Sequence, residues 1–263
     1  MEDYKKFLEI ARKAAIKAGD FLLEGLNQKK QIDFKGQVDL VTTFDRESEE
    51  LIYEELSQAF PEMSFLAEEV IRKDNNSDYC WIIDPLDGTT NFAHNLPIFC
   101  VSIALSFGRE VIVGVVYDPN RKEIFSAVKG EGAFLNNQRI RVSETAELDK
   151  SLLATGFPYD VRTSPDNNIN HFSSFAVKAQ AIRRCGSAAL DLCYVACGRF
   201  DGFWEMKLKP WDLAAGSLLV KEAGGLTTDF YGQDFELSSP DIVASNGRIH
   251  QSMLEIIRMN LVK

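Results

Sequence analysis

Two carboxylates three residues apart, Asp84 and Asp87, close an apolar run in Trp81-Ile82-Ile83-Asp84-Pro85-Leu86-Asp87-Gly88-Thr89-Thr90-Asn91-Phe92. Asp-Pro and Asp-Gly are ordinary turn formers, so a strand ending in a turn is one reading. Gly88-Thr89-Thr90 supports another. A glycine followed by threonines, opening a short helix, presents backbone N–H groups that suit a phosphate. Two acids beside such a cradle make chemical sense with a cation between them. Further acids stand at other element ends. Ala67-Glu68-Glu69 follows the apolar stretch Met63-Ser64-Phe65-Leu66, and Trp211-Asp212 opens a helix from Leu213 to Ala223. Each also has a plain role, an exposed acidic turn and an N-cap.

The rest of the composition narrows the chemistry. The chain has 263 residues, 45% hydrophobic and 11% aromatic, with a formal net charge of -10. That length suits one large domain or two subdomains on a shared core. An acidic surface with no long Lys/Arg run opposes binding to nucleic acid or anionic membrane. The start, Met1 to Ile10, is charged and amphipathic, unlike a signal peptide. The longest apolar run, Leu96 to Phe107, is too short to span a bilayer as a helix. The five cysteines form no CxxC pair and read as buried thiols in a reducing cytosol. Three histidines leave little for a zinc site, so a metal here would be a hard, oxygen-bound ion.

The elements that must position these acids follow from periodicity. Residues 4–24 repeat apolar positions at three and four, a helix stopped by Gly25; residues 28–41 read as a loop or weak hairpin. A second helix runs from Thr43 to Phe60, before Pro61. Strands at 79–84, 98–107, 111–118, 123–128 and 138–142 form an antiparallel meander. After about residue 150 strands and helices alternate: strands at 152–155, 180–184, 200–205 and 242–244, helices at 165–178, 187–197, 211–223 and 247–260. Residues 158–170 are the most polar connection of this half and are expected to be exposed.

Together these pieces resemble the inositol monophosphatase family of magnesium-dependent phosphatases. The stretch from Trp81 to Phe92 carries the resemblance, with Trp211-Asp212-Leu213-Ala214-Ala215-Gly216 and Glu222-Ala223-Gly224-Gly225. Val38-Asp39-Leu40-Val41-Thr42, Leu153-Ala154-Thr155-Gly156-Phe157-Pro158 and Gly186-Ser187-Ala188-Ala189-Leu190-Asp191 fit in order, so the likeness spans the chain. It implies an α/β (α+β) fold, a layered α/β/α/β/α sandwich. The antiparallel sheet would lie in the N-terminal half and a mixed α/β unit in the C-terminal half. The chain would be one catalytic domain, with subdomains of about 1–149 and 150–263.

The resemblance also implies a site. Glu68, Asp84 and the Leu86 carbonyl would hold a first Mg²⁺, and Asp84, Asp87 and Asp212 a second. Glu68 would help hold a weaker third. Paired cations shield a phosphate dianion from an anionic nucleophile. Thr89 and Asp45 would orient the attacking water, although Thr42 and Asp45 also have capping-box spacing. Asp87, Gly186, Ser187, Ala188 and Glu205 would bind sugar-like hydroxyls, Gly88 and Thr89 the phosphate. Lys35 matches a basic loop residue near the metals.

Relatives on this fold take inositol phosphates, fructose 1,6-bisphosphate or other phosphate esters, and the metal site does not separate them. A bisphosphate needs a second cation. Of Arg183, Arg184, Lys207 and Lys209, the sequence points to Arg183 and Lys207. The expected activity is hydrolysis of inositol 1-phosphate, with dual fructose-bisphosphatase activity second. A regulatory interaction protein retaining the phosphatase fold is the reading from another class. A cytoplasmic, lithium-sensitive homodimer acting on a small phosphorylated polyol or sugar, without nucleic acid or membrane, completes the expectation.

Overall fold

The computed structural model describes residues 4–28, 32–34 and 40–261, so Lys35 lies outside the described residues. Helix α1 (Tyr4–Gly25) buries Phe7, Ala11, Ala14, Ala15, Ala18 and Leu22, a stripe at helical spacing. β1 (Ile32–Phe34) and β2 (Leu40–Thr42) pair antiparallel, the weak hairpin read from the sequence. Helix α2 (Thr43–Ala59) follows. Its inward face is Asp45, Ser48, Glu49, Ile52 and Leu56, so polar residues occupy the half nearest its start.

An eight-stranded sheet comes next: β3 (Ser64–Ala67), β4 (Arg72–Lys73), β5 (Tyr79–Asp87), β6 (Cys100–Phe107), β7 (Glu110–Asp118), β8 (Glu123–Val128), β9 (Gly132–Leu135) and β10 (Gln138–Arg139). It is the expected meander, with β3 added parallel to β5 and β4 antiparallel to β3. β3, β4 and β9 are too short for alternation to announce them, and β10 covers only two residues of the expected 138–142. Helix α3 (Thr89–Ala93) leaves the end of β5. Period-two alternation sorts β6 cleanly. Val101, Ile103 and Leu105 face one core with α1 and α2, while Cys100 and Ala104 face another.

That second core is filled by α5 (Ala188–Ala196) and α6 (Pro210–Glu222), which lie between the large sheet and a five-stranded one. The latter orders β12 (Ala181–Arg183), β11 (Leu152–Thr155), β13 (Gly202–Glu205), β15 (Ile242–Ser245) and β14 (Leu226–Thr228), parallel around β11 and antiparallel around β15. Helices α4 (Ile169–Ala176) and α7 (His250–Met259) cover its far side, Phe175, Met253 and Ile257 packing in one cluster with Trp204 of β13. The α/β/α/β/α layering is therefore present. Phe175 is fully buried and stacks on Trp204 with ring centroids 4.1 Å apart. No helix among the described residues is long and apolar enough to cross a membrane. Of the five cysteines, Cys100 and Cys193 are buried as expected, but Cys80, Cys185 and Cys197 are only half-buried.

Candidate active site

Asp84 and Asp87 are an odd number of residues apart, so a regular strand would send them to opposite faces. It does not, because β5 is irregular there. Asp84 pairs with Ser102 and Asp87 with Cys100, three residues against two, so one extra residue bulges out around Pro85 and Leu86. Pro85, with no N–H to donate, suits an interrupted ladder. The bulge turns both carboxylates into one cavity of about 390 Å³, which Glu68 and Asp212 also line.

The elements around this cavity hold it firmly. Gly88 adopts φ +102, a left-handed conformation in which any side chain is strained, and α3 begins one residue later. Ser48 of α2 donates to the Pro85 carbonyl at 2.8 Å. Glu49, only 1% exposed, accepts from the backbone N–H groups of Glu69, Val70 and Ile71 at 2.7–2.8 Å and so fixes the turn that carries Glu68. Asp212 is not the N-cap but the third residue of α6, one turn inside a helix that starts earlier than expected. Lys209 is the N-cap, Pro210 leads the helix, and Asp212 Oδ2 accepts the Lys209 N–H at 2.7 Å. Asp87 Oδ2 accepts from Ser187 Oγ and the Ala189 N–H, both at 2.7 Å, which ties β5 to the start of α5.

Asp45 caps α2 and also reaches Thr89. Thr42 and Asp45 form a capping box at the start of α2, with the Thr42 N–H donating to Asp45 Oδ2 at 2.7 Å. The other oxygen, Oδ1, faces Thr89 Oγ at 3.0 Å, and that hydroxyl is equally 3.0 Å from the Leu86 carbonyl. One hydroxyl proton serves one acceptor at a time. A ligand on the Leu86 carbonyl would leave Thr89 donating to Asp45, with its lone pairs turned to the cavity.

Charge is the site's unsettled quantity. Burial pushes the Asp84 carboxyl well above the usual carboxylate range, and the Glu68, Asp87 and Asp212 charges push the same way. Burial, then Asp87, raises Asp212. Burial also raises Asp87, opposed by the hydrogen bonds from Ser187 and the α5 backbone. Among the described residues no three of these acids stand as a ready cage for an ion, but the all-oxygen chemistry of the set fits a hard divalent cation, whose charge would reverse these shifts.

Elsewhere on the cavity wall Glu205 is pushed up to about 8, by burial first and Asp191 next. It packs so closely on Gly156 that a Cβ there would collide with its carboxylate oxygens. Asp191 was not among the residues singled out from the sequence. It is 1% exposed, with Oδ1 lacking a hydrogen-bond partner among the described residues. Its place in the first turn of α5 is the signal that was available. A group whose folded pKa is raised stabilises the fold below its unfolded pKa and loses that stabilisation as pH rises through the folded value. Thermal midpoints measured in chelator should therefore fall as pH rises from about 5 to about 9, and fall less in Glu205→Gln. Equal slopes for the two proteins would deny the buried charge at Glu205.

Gly186, Ser187 and Ala188 line the cavity beside Asp87. The basic residues do not all arrive where the sequence placed them. Arg183 is exposed outside the cavity wall, its guanidinium donating to the Ile182 carbonyl at 3.1 Å, while Arg184 lines the cavity. Neighbours on a strand end point to opposite sides, and only one can turn inward. Lys207 lines the cavity, but its ammonium is paired with Asp160 at 2.8 Å. The 158–170 connection is not uniformly exposed either. Asn168 is fully buried, donating to Thr155 Oγ1 and the Gly156 carbonyl and accepting from Trp204 Nε1. Arg72, with its guanidinium 6.0 Å from the Trp211 ring, is a further lining residue the sequence reading missed.

The model of the inositol monophosphatase family matches residues 3–261. The chain belongs to that family. Inositol-1-monophosphatase of Synechocystis sp. is 46% identical, covering 97% of this chain and 90% of that relative. The Nus factor SuhB of Vibrio cholerae is 44% identical, covering 96% of each. The solved inositol monophosphatase of Anabaena (Nostoc) sp. superposes with a TM-score of 0.90 at 43% identity, covering 98% of this chain and 97% of that one. Membership in the inositol monophosphatase family makes this chain a phosphatase by descent, and a family that is generally magnesium-dependent suits the carboxylates gathered here.

Proposed function

We propose that the protein hydrolyses inositol monophosphates, inositol 1-phosphate first among them, to inositol and phosphate. The observation that carries this reading is the bulge in β5, which brings Asp84 and Asp87 to one side of a cavity with Glu68 and Asp212. Glu68, Asp84 and the Leu86 carbonyl would hold one magnesium ion, with Asp84, Asp87 and Asp212 holding another. When bound, magnesium shields the phosphate's charge and acidifies coordinated water. Thr89 orients a water and accepts its proton as its own hydroxyl proton passes to Asp45 Oδ1, 3.0 Å away on a carboxylate held by the capping box. Gly88 and Thr89 present the amides at the start of α3 to the phosphate. Gly186, Ser187, Ala188 and Glu205 meet the polyol hydroxyls, the Glu205 carboxyl and the start of α5 supplying acceptors and donors.

This cavity offers a second phosphate little. Arg183 lies outside it and Lys207 is already paired with Asp160, which leaves Arg72, Arg184 and Lys209 on the wall, Arg72 lying against the Trp211 ring. Dual fructose-bisphosphatase activity is accordingly the weaker reading. The test is phosphate release from inositol 1-phosphate and fructose 1,6-bisphosphate at equal concentrations with magnesium. A kcat/KM favouring inositol 1-phosphate by about tenfold or more is expected; parity would make the enzyme dual and move attention to Arg184.

The Nus factor name of the Vibrio cholerae relative motivates a second reading, an added protein-interaction role. The net charge of -10 favours a protein over a nucleic acid as the direct contact. The phosphatase reading takes the protein as a lithium-sensitive cytoplasmic homodimer.

A further inference from the structure

Lys207 stands two residues beyond Glu205 in the chain and holds a backbone φ of +61. Glycine is the residue that takes this conformation freely, so a lysine there calls for an explanation. Its side chain supplies one. Nζ lies 2.8 Å from Asp160 Oδ2, 3.1 Å from Ser164 Oγ and 2.7 Å from the Asp166 carbonyl. An ammonium has three protons, and these three acceptors use them all. Nothing remains for a substrate phosphate unless the Asp160 pair breaks.

The partners all belong to one connection. After β11, residues 157–159 line the cavity, and turns at Val161, Thr163 and Ser164 fold the chain back on Pro158 and Asp160. The connection ends at Asn168, which grips Thr155, Gly156 and Trp204. Trp204 precedes Glu205, and Gly156 is the residue against which Glu205 packs. The strand that carries Glu205 and the segment that walls it are therefore joined twice, by Asn168 at the base and by Lys207 at the mouth.

We propose that Lys207 is a specificity-determining positioning residue: it straps residues 157–166 across the polyol end of the cavity and so shapes the wall that accepts a small polyol phosphate. This rests on the polyol-phosphate reading given above. Its role is to fix Phe157, Pro158 and Tyr159 relative to Glu205, and it makes no contact with a phosphate.

Lys207→Gly is the informative variant, because glycine suits φ +61 and the backbone is left unstrained. Asp160→Asn, which keeps an acceptor and drops the charge, should give an intermediate result. Two readouts decide. Trypsin cleavage after the exposed Arg162 in the full-length protein should speed up by about tenfold in Lys207→Gly as the strap opens. The ratio of kcat/KM for inositol 1-phosphate to that for 4-nitrophenyl phosphate, which lacks a polyol, should fall by about tenfold, mostly through KM. An unchanged ratio overturns the proposal, whether or not cleavage changes. So does a loss confined to fructose 1,6-bisphosphate, which would make Lys207 a phosphate contact. If the unaltered protein releases no phosphate from inositol 1-phosphate, the polyol-phosphate reading fails instead. The cleavage rate then still decides the strap, an unchanged rate overturning it.

Discussion

Asp84→Asn should lose kcat/KM by about three orders of magnitude or more, the consequence of removing several kcal/mol of metal-borne charge stabilisation. The same change should raise the thermal midpoint in chelator. The two effects have one cause. Asp84 is 1% exposed and stands among Glu68, Asp87 and Asp212, whose charges oppose its ionisation. Without a cation the fold carries that repulsion at neutral pH. An amide keeps the acceptor for the Leu86 N–H, now 3.0 Å from Oδ1, and removes a charge. Magnesium should then stabilise the unaltered protein markedly and the variant little, since only a ligand that binds the folded form raises its midpoint. Near-normal turnover by Asp84→Asn, or a midpoint in chelator below that of the unaltered protein, would contradict this assignment.

Thr89→Val and Asp45→Asn should separate water orientation from helix capping. Valine matches threonine in shape and removes only the hydroxyl that faces Asp45 and the Leu86 carbonyl. Its kcat should drop by about 10²-fold with the thermal midpoint nearly unchanged. Asp45→Asn should lose a similar factor and also destabilise the fold. Oδ2 accepts both the Thr42 N–H and the Thr42 hydroxyl, at 2.7 and 2.6 Å, and an amide satisfies only part of that arrangement. A cap of this kind is worth about 1 kcal/mol, roughly 2–4 °C in a chain of this size. If Thr89→Val retained full kcat, the Thr89–Asp45 pair would be structural only.

What the sequence made legible was the chemistry at element ends. The apolar run into Asp84, the glycine after Asp87 and the helix after Trp211 each placed an acid near its observed position, because local patterns fix where strands stop and helices begin. The bulge that aligns Asp84 with Asp87 was not legible, since it depends on the pairing of β5 with β6. Glu49 escaped notice for a related reason. A glutamate on a helix reads as solvated, and only the fold shows three backbone N–H groups converging on it. The one hint was its i,i+3 relation to Ile52 on the inward face. Arg183 and Lys207 show the same limit from the other side. Both are basic and close in sequence to the polyol end, yet strand direction turns one outward and a distant aspartate claims the other. Charge near a site can be read from sequence, but its partner cannot.

The measurement that tests the central claim most directly is phosphate release from inositol 1-phosphate by the unaltered protein, first in chelator and then across a magnesium titration. No release above background is expected in chelator, with a saturable return of activity as magnesium is added. Release that persists in chelator at the magnesium-saturated rate would contradict it, because the gathered carboxylates would then not be holding the metal on which the proposed chemistry depends.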